Sequence, residues 1–169
     1  MGRQNARRLA LLGLLTGVLL GGQVALAVLP NVEVVSLLVI LYSLFLGRQV
    51  FLIIYAFVLL EGCLYGFGLW WVSYLYVWTL LAVVALSLRQ TEAPALFWAI
   101  VSGFFGLAFG ALCALPYLVI GGIAAAVSYW LAGLGFDLIH CVGNFLVCLL
   151  LFRPLHRLLS RLLRWYGWE

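Results

Sequence analysis

Long apolar runs with few charges between them are the feature that most limits how this chain can fold. Residues 9–29, 71–88 and 95–115 contain no charged side chain, and the mean hydropathy of the chain is +1.24. At about 1.5 Å per helical residue, a run of about 20 apolar residues is long enough to cross a bilayer. In lipid the backbone must satisfy its own hydrogen bonds, which favours helices. The sequence therefore predicts an all-α integral membrane protein.

Short polar or glycine-bearing breaks divide the apolar sequence into six predicted transmembrane helices. Together they form a single membrane domain over residues 1–169. The predicted spans are residues 9–29, 34–46, 50–65, 71–88, 95–115 and 136–152. The breaks include a turn at Pro30 and a hydrophilic loop that contains Glu92.

Two further segments are predicted not to cross the membrane. Residues 116–134 are apolar but contain helix-breaking residues, and we expect a partly buried external loop between helices 5 and 6. The breaking residues are Pro116, Gly121, Gly122 and Gly133. Residues 154–166 place leucines opposite arginines at helical spacing, which predicts an amphipathic cytoplasmic tail at the membrane surface.

The basic residues set the predicted orientation. All nine are arginines, and with six spans all nine lie on one side of the membrane. The positive-inside rule makes that side the cytoplasm, so both termini are predicted to be cytoplasmic. A seventh span through residues 116–134 would move the C-terminal arginines outside and is rejected. The arginines form no continuous stripe, so we expect no nucleic-acid partner.

The first apolar run has an alternative interpretation as a cleaved signal peptide. Arg3, Arg7 and Arg8 precede it, and residues 25–27 read Ala-Leu-Ala, an acceptable cleavage pattern. The run is longer than the usual apolar region of about 7–15 residues, which favours a spanning helix.

Small residues recur every four positions along the first span. Gly13, Gly17, Gly21 and Ala25 form this stripe, which allows another helix to approach closely. The stripe predicts either an interface with a partner subunit or packing inside the bundle.

The chain has no lysine, so it cannot complete a GxxxxGK[ST] phosphate-binding loop. ATP-driven transport would therefore need another subunit.

The segment at residues 135–145, GFDLIHCVGNF, concentrates polar side chains in an otherwise apolar helix. Asp137, His140, Cys141, Asn144 and Cys148 are spaced i, i+3, i+4, i+7 and i+11, which places them within roughly 100° of the helix surface. Ionisable groups at membrane depth usually line a cavity or a pathway. We therefore predict a substrate-binding site here, with the cysteines as packing residues.

The predicted topology brings other polar and aromatic residues to the same external end. Aromatic faces stack on ring systems, while carboxylate, imidazole and amide groups orient a ligand by hydrogen bonds. The predicted substrate-binding residues are Glu61, Tyr65, Trp71, Tyr74, Trp130, Asp137, His140 and Asn144. We expect a heteroaromatic ligand, because aromatic faces stack on rings, and one that is not multiply anionic, because this end carries acids and no arginine.

Three alternatives remain for the polar face. The first is a metal site, because the facial spacing of metal ligands is found at Asp137, His140 and Cys141. This site is less favoured, because it has one histidine and no second pair of ligands. We therefore expect no metal or cofactor. An intramembrane enzyme could use His140 with Glu61 or Asp137, yet no GxSxG or HExxH motif is present, so we expect no enzyme. The polar groups could also only cross-link the helices of a structural or assembly subunit.

The chain resembles the S components of energy-coupling factor (ECF) vitamin transporters. The resemblance rests on six short spans, arginine-flanked cytoplasmic ends, the small-residue stripe, and PYLVIGG followed by SYWLAGLGFDLIHCVGNF. The resemblance implies a subunit of the bacterial cytoplasmic membrane that captures a vitamin, with a B-vitamin-like compound as the expected ligand, from outside the cell. It also implies that this subunit pairs with a transmembrane coupling subunit and two ATPases. It further implies that Gly13, Gly17, Gly21 and Ala25 contact the coupling subunit, and that the pocket lies near the external face.

Overall fold

Every regular element in the described part of the chain is helical. A computed structural model describes residues 2–29, 31–91 and 93–168, so the predicted turn residue Pro30 and the loop residue Glu92 lie outside the described residues. The helices are α1 (Arg3–Leu26), α2 (Val35–Leu46), α3 (Val50–Tyr65), α4 (Leu69–Ser87), α5 (Ala95–Cys113) and α6 (Leu115–Tyr166). The predicted all-α class is confirmed, and no strand occurs in these residues.

Within the described residues, five segments are long and apolar enough to cross a membrane. One of them, Val35–Tyr65, contains α2, a 3-10 turn at Gly47–Gln49 and α3. The structure therefore has the helical content expected of a membrane protein, while the number of spans stays a prediction. Four predicted spans agree with α2 to α5 to within two residues at each end, because the polar breaks coincide with the helix termini, whereas α1 begins six residues before the predicted first span and ends three residues before that span ends.

The first two helices run in opposite directions. The Tyr42 hydroxyl donates a hydrogen bond to the Leu15 carbonyl at 3.3 Å, whereas at the other end of the pair Gly22 faces Val34. α3 and α4 are also antiparallel, since Gly62 packs against Trp71 near their shared turn. These contacts describe an up-and-down bundle.

The two termini of the bundle meet at one end. The Arg8 guanidinium lies 5.1 Å from the centre of the Trp168 ring, which joins the start of α1 to the residues after α6. The ends of α2 and α4 lie at the same end of the bundle, because Gly47 is in contact with the Arg89 side chain. The arginine-bearing segments therefore gather at this end, which we call the arginine end.

α2 is the central helix of the bundle. Its residues from Val35 to Ser43 are all buried, so it has no face toward the surroundings. A helix that is apolar all round is the type that a bundle encloses. With only 12 residues it spans about 18 Å, less than the hydrocarbon core.

Small residues repeat every four positions on α5 as well as on α1, and these two ladders have opposite roles in the bundle. On α5 a Cβ added to Gly106 would overlap the His140 carbonyl at 2.8 Å, so the glycine permits close contact with α6. On α1 a Cβ added to Gly13, Gly17 or Gly21 would meet nothing within 4 Å, and Ala25 is exposed beside them. The α5 ladder is therefore used inside the bundle, and the α1 stripe faces outward.

The prediction of a loop at residues 116–134 is wrong. The region is helical and forms the beginning of α6, with Gly122 (φ 72°) as its one non-helical residue. Pro116 lies in the first turn, where a missing N–H removes no helical hydrogen bond, and the other glycines keep helical geometry. At Gly122 the chain bends, and Tyr117 stacks on Tyr129 with ring centres 4.3 Å apart.

The predicted amphipathic tail at residues 154–166 is helical and continuous with α6. Pro154 lies inside this helix, with no break in the backbone. Leu159 and Leu163 are buried and belong to the main hydrophobic core, so the apolar face of the tail packs on the bundle itself. Whether the tail also lies at a membrane surface stays a prediction.

The two glycine ladders predict different responses to the same substitution. Gly106→Val is expected to lower the stability of the protein by about 1–3 kcal/mol, because the added side chain overlaps the α6 backbone. Gly17→Val is the matched control and is expected to leave the unfolding temperature within about 1 °C, because its site is open. Thermal unfolding in detergent measures both, and equal losses would contradict this packing.

Candidate binding site

Two adjacent cavities open at the end of the bundle opposite the arginines. The first, which we call the α1–α4 cavity, has a volume of 290 Å³; its polar and aromatic lining residues are Gln23, Asn31, Glu33, Tyr74, Trp78, Phe109 and His140. The second, the α5–α6 cavity, has a volume of 410 Å³ and is lined in part by Phe109, Cys113, Tyr129, Phe136, Asp137 and His140. Asn31, Phe109 and His140 line both cavities, so the two share a wall.

A buried hydrogen-bond network joins the first loop to α2 and α6. The Glu33 carboxylate accepts the Ser36 backbone N–H at 2.8 Å and also accepts the Ser36 hydroxyl. Asn144 on α6 donates its amide N–H to the Ser36 hydroxyl at 3.1 Å. Glu33 thereby satisfies a free donor in the first turn of α2, where the helix dipole also favours a negative charge.

His140 lies at the junction of this network and the two cavities. Its Nε2 atom is 3.4 Å from Glu33 Oε1, and its ring packs edge-on against Phe109 with centres 4.8 Å apart. The side chain is buried within α6 but borders open volume on two sides. The 3.4 Å separation is long for a hydrogen bond, so both groups retain capacity to bind a ligand.

Asp137 places a partly unsatisfied carboxylate in the α5–α6 cavity. Its Oδ1 atom accepts the Gly110 backbone N–H at 2.9 Å, which is possible because Gly110 has no side chain to separate the helices. Its Oδ2 atom is buried and has no hydrogen-bond partner among the described residues. A buried acceptor without a partner is costly, and a donor group on a ligand would remove that cost.

Aromatic rings form the opposite wall of the α1–α4 cavity. Tyr74 and Trp78 on α4 pack edge-on with centres 5.5 Å apart, and Phe109 on α5 lies 5.6 Å from Trp78. The Trp78 Nε1 atom is buried and, within the described chain, has no hydrogen-bond partner. The wall therefore offers ring faces and edges for stacking together with an indole donor.

The structure brings only some of the predicted site residues to these cavities. Tyr74, Asp137 and His140 line them. Tyr65 and Trp130 are 54% and 38% exposed, respectively, and line neither cavity. Tyr65 ends α3 on the outside of the bundle, while in α6 it is Tyr129, the neighbour of Trp130, that reaches the α5–α6 cavity.

Of the remaining predicted residues, Glu61 and Asn144 are buried and Trp71 is partly buried, and none of them lines either cavity. Asn144 binds Ser36, and Trp71 donates its indole N–H to the Val58 carbonyl at 2.9 Å, so both connect helices instead of lining a cavity. Glu61 is 2% exposed on α3, and its Oε1 atom lacks a hydrogen-bond partner in the described residues. Glu61 is a buried polar group of the same end of the bundle, separate from the two cavities.

Sequence reasoning missed several lining residues, of which Glu33 is the most important. An acidic residue three positions before a serine at the start of an apolar run was the available signal, since it matches helix capping. For Trp78 the signal was its spacing, because it follows Tyr74 by one helical turn and therefore lies on the same helix face. For Gln23 and Phe109 the sequence contains no signal, because their positions depend on how the helices pack.

The geometry lends no support to the metal alternative. Within residues 2–29, 31–91 and 93–168, no group of three or more His, Cys, Asp and Glu side chains is arranged to hold a metal ion. Cys141 packs toward Gly103 on α5, whereas Asp137 binds Gly110. The four cysteines are all free thiols.

Comparisons with protein-family models, curated proteins and solved structures find no match to this chain. The fold and the site by themselves define a helical protein with segments able to cross a membrane and a polar, aromatic-walled cavity at one end.

The buried network predicts a structural role for Asn144 that does not require a ligand. Asn144→Ala is expected to lower the stability by about 0.6–2 kcal/mol, because the Ser36 hydroxyl loses its interhelical donor. The exposed Asn5→Ala on α1 is the matched control and is expected to change little. Thermal unfolding of the ligand-free protein measures both, and an unchanged Asn144→Ala variant would contradict the role of this bond.

Proposed function

We propose that this chain is the substrate-binding S component of an ECF-type, ATP-driven importer in the bacterial cytoplasmic membrane. In this role it captures a vitamin or related micronutrient from outside the cell. The observation that carries the proposal is the α1–α4 cavity, in which Glu33 and His140 face Tyr74, Trp78 and Phe109 at the end opposite the arginines. Under the positive-inside rule that end is external, which is where a capture site for import belongs.

The chemistry of the cavities supports a small heteroaromatic ligand. Aromatic walls favour a planar ring, and the buried carboxylates of Glu33 and Asp137 favour ligand donors or a positive charge. Among the described residues, no arginine lines either cavity. A multiply anionic ligand is therefore disfavoured, because it would meet acidic groups without a compensating arginine.

The outward-facing stripe of α1 supports a partner helix. Gly13, Gly17, Gly21 and Ala25 do not pack against the described bundle, so internal packing does not account for their spacing. Small residues at this spacing allow two helix backbones to approach closely in a membrane. We propose that the transmembrane coupling subunit, which would work with two ATPases, docks on this stripe.

A structural or assembly subunit is the second candidate, and the interhelical bonds from Asn144 and Asp137 favour it. They are the polar cross-links that such a subunit would need. An enzyme is less favoured on geometric grounds. In the buried network the Glu33 carboxylate lies between the Ser36 hydroxyl and the His140 imidazole, whereas activation of a serine nucleophile needs the imidazole next to the hydroxyl.

Ligand binding is tested with the purified chain and a panel of B vitamins and their precursors. One compound is expected to raise the unfolding temperature, since a ligand at about 100 times its Kd stabilises by about 2.7 kcal/mol. His140→Ala is expected to weaken binding about tenfold or more, because it removes a shared wall of both cavities. The other histidine provides the control, and His156→Ala is expected to bind like the wild type.

Two results would count against this function. If no compound in the panel shifts the unfolding temperature, the capture role has no ligand to support it. If His140→Ala lowers stability equally with and without ligand, the polar groups serve as helix cross-links, as in the structural alternative.

Docking of the coupling subunit is tested with the α1 stripe. Gly17→Val is expected to fold normally but to lose most co-purification of the ATPase-containing complex from native membranes, because the added side chains separate the helices. Gly135→Val is the matched control, since this α6 glycine also has nothing within 4 Å of an added Cβ. Equal recovery of the complex with both variants would place the interface elsewhere.

A further inference from the structure

A third cavity lies at the arginine end of the bundle, and none of the functions above uses it. It has a volume of 520 Å³ and is formed by the end of α2, the turn after α4, the beginning of α5 and residues 152–157 of α6. We call it the basic cavity; the residues that matter here are Phe45, Arg89, Trp98, Arg153, His156 and Arg157.

Positive charge converges on the basic cavity from two elements. Arg89 follows α4 in a 3-10 turn, and Arg153 and Arg157 are one turn apart on the same face of α6. Among the described residues, no carboxylate lies within 4.0 Å of any of these three guanidinium groups. Like charges gathered around one cavity repel each other, and a bound anion would relieve this repulsion.

The beginning of α5 adds to the positive potential of the basic cavity. Pro94 and Ala95, the N-cap and first residue of this 19-residue helix, line the cavity, and the first turn contains no acidic residue. The first backbone N–H groups of a helix have no partner within the helix, and the helix dipole is positive there. The helix terminus therefore reinforces the arginines as a site for an anion.

The other side of the basic cavity is apolar and aromatic. Phe45 lies 4.7 Å from the His156 ring, and Trp98 is stacked on Phe152 with centres 6.3 Å apart. A site for an inorganic anion alone has no need of this surface. A ligand with an anionic head and an apolar body would use both sides.

The depth of the basic cavity indicates which amphipathic anion is available. Arg153 directly follows the last predicted span, residues 136–152, so the arginines lie where the apolar segment ends. This is the depth of lipid phosphates, and basic pockets between membrane helices bind anionic headgroups. Charge, shape and depth therefore favour the same ligand.

We propose that the basic cavity binds an anionic phospholipid from the leaflet on the arginine side. Its phosphate is held by Arg89, Arg153 and Arg157, and its glycerol and first acyl carbons lie against Phe45 and Trp98. This lipid site is separate from the substrate cavities and does not depend on the transport function.

The test compares short-chain phosphatidylglycerol with phosphatidylcholine of the same acyl length on the purified chain in neutral detergent. Phosphatidylglycerol is expected to raise the unfolding temperature and to remain bound in native mass spectrometry, whereas phosphatidylcholine does neither. Arg153→Gln/Arg157→Gln is expected to weaken phosphatidylglycerol binding about tenfold or more. Arg161→Gln/Arg164→Gln removes the same charge from the same helix outside the cavity and is expected to bind normally.

Three outcomes would overturn the lipid site. Equal loss of binding in both double variants would show general attraction to a basic surface. Equal stabilisation by both lipids would show that charge is not recognised. If inorganic phosphate raises the unfolding temperature as much as phosphatidylglycerol does at equal concentration, the cavity is a site for a free anion instead of a lipid.

If the Arg153→Gln/Arg157→Gln variant does not stay folded in the absence of lipid, the single variant Arg157→Gln replaces it in the comparison of phosphatidylglycerol binding, because Arg157 is exposed.

Discussion

The arrangement of this protein depends on the cost of burying polar groups in apolar surroundings. Three polar side chains are nearly inaccessible to solvent, namely Glu33, His140 and Asn144. Each of them contacts a polar side chain that belongs to another element than its own. An unpaired buried charge or amide is costly, so Glu33 and Asn144 lower their free energy by bonding to Ser36, and His140 lies beside Glu33. Their meeting holds the first loop against α6. The candidate site exists because this network closes one side of it.

Close packing of α5 and α6 provides the second wall of the site. Gly106 and Gly110 allow the α6 backbone to approach, and the approach brings Asp137 within hydrogen-bonding distance of the Gly110 N–H. The α1 glycines have the same spacing but face outward. Identical patterns thus serve internal packing in one helix and leave an open surface in another, and only the position of each helix in the bundle distinguishes them.

The two ends of the bundle have opposite chemical character. One end contains the buried acids and the aromatic wall of the α1–α4 cavity, while arginines line the basic cavity at the other. This separation follows from the up-and-down order of the helices, because each arginine-bearing break falls at the same end. It is the physical basis for proposing a capture site on one side and a lipid site on the other.

The amino-acid sequence was enough to predict the helical class, the ends of α2 to α5 to within two residues and the polar face of residues 137–144, because apolar length and helical spacing are local properties. It misassigned residues 116–134, since only Gly122 leaves helical geometry while Pro116 is harmless in a first turn. Tertiary structure alone decided that Glu33 and Phe109 join His140, and that Asn144 binds Ser36. Those contacts link residues as much as 108 positions apart, and helical periodicity contains no information about such distances.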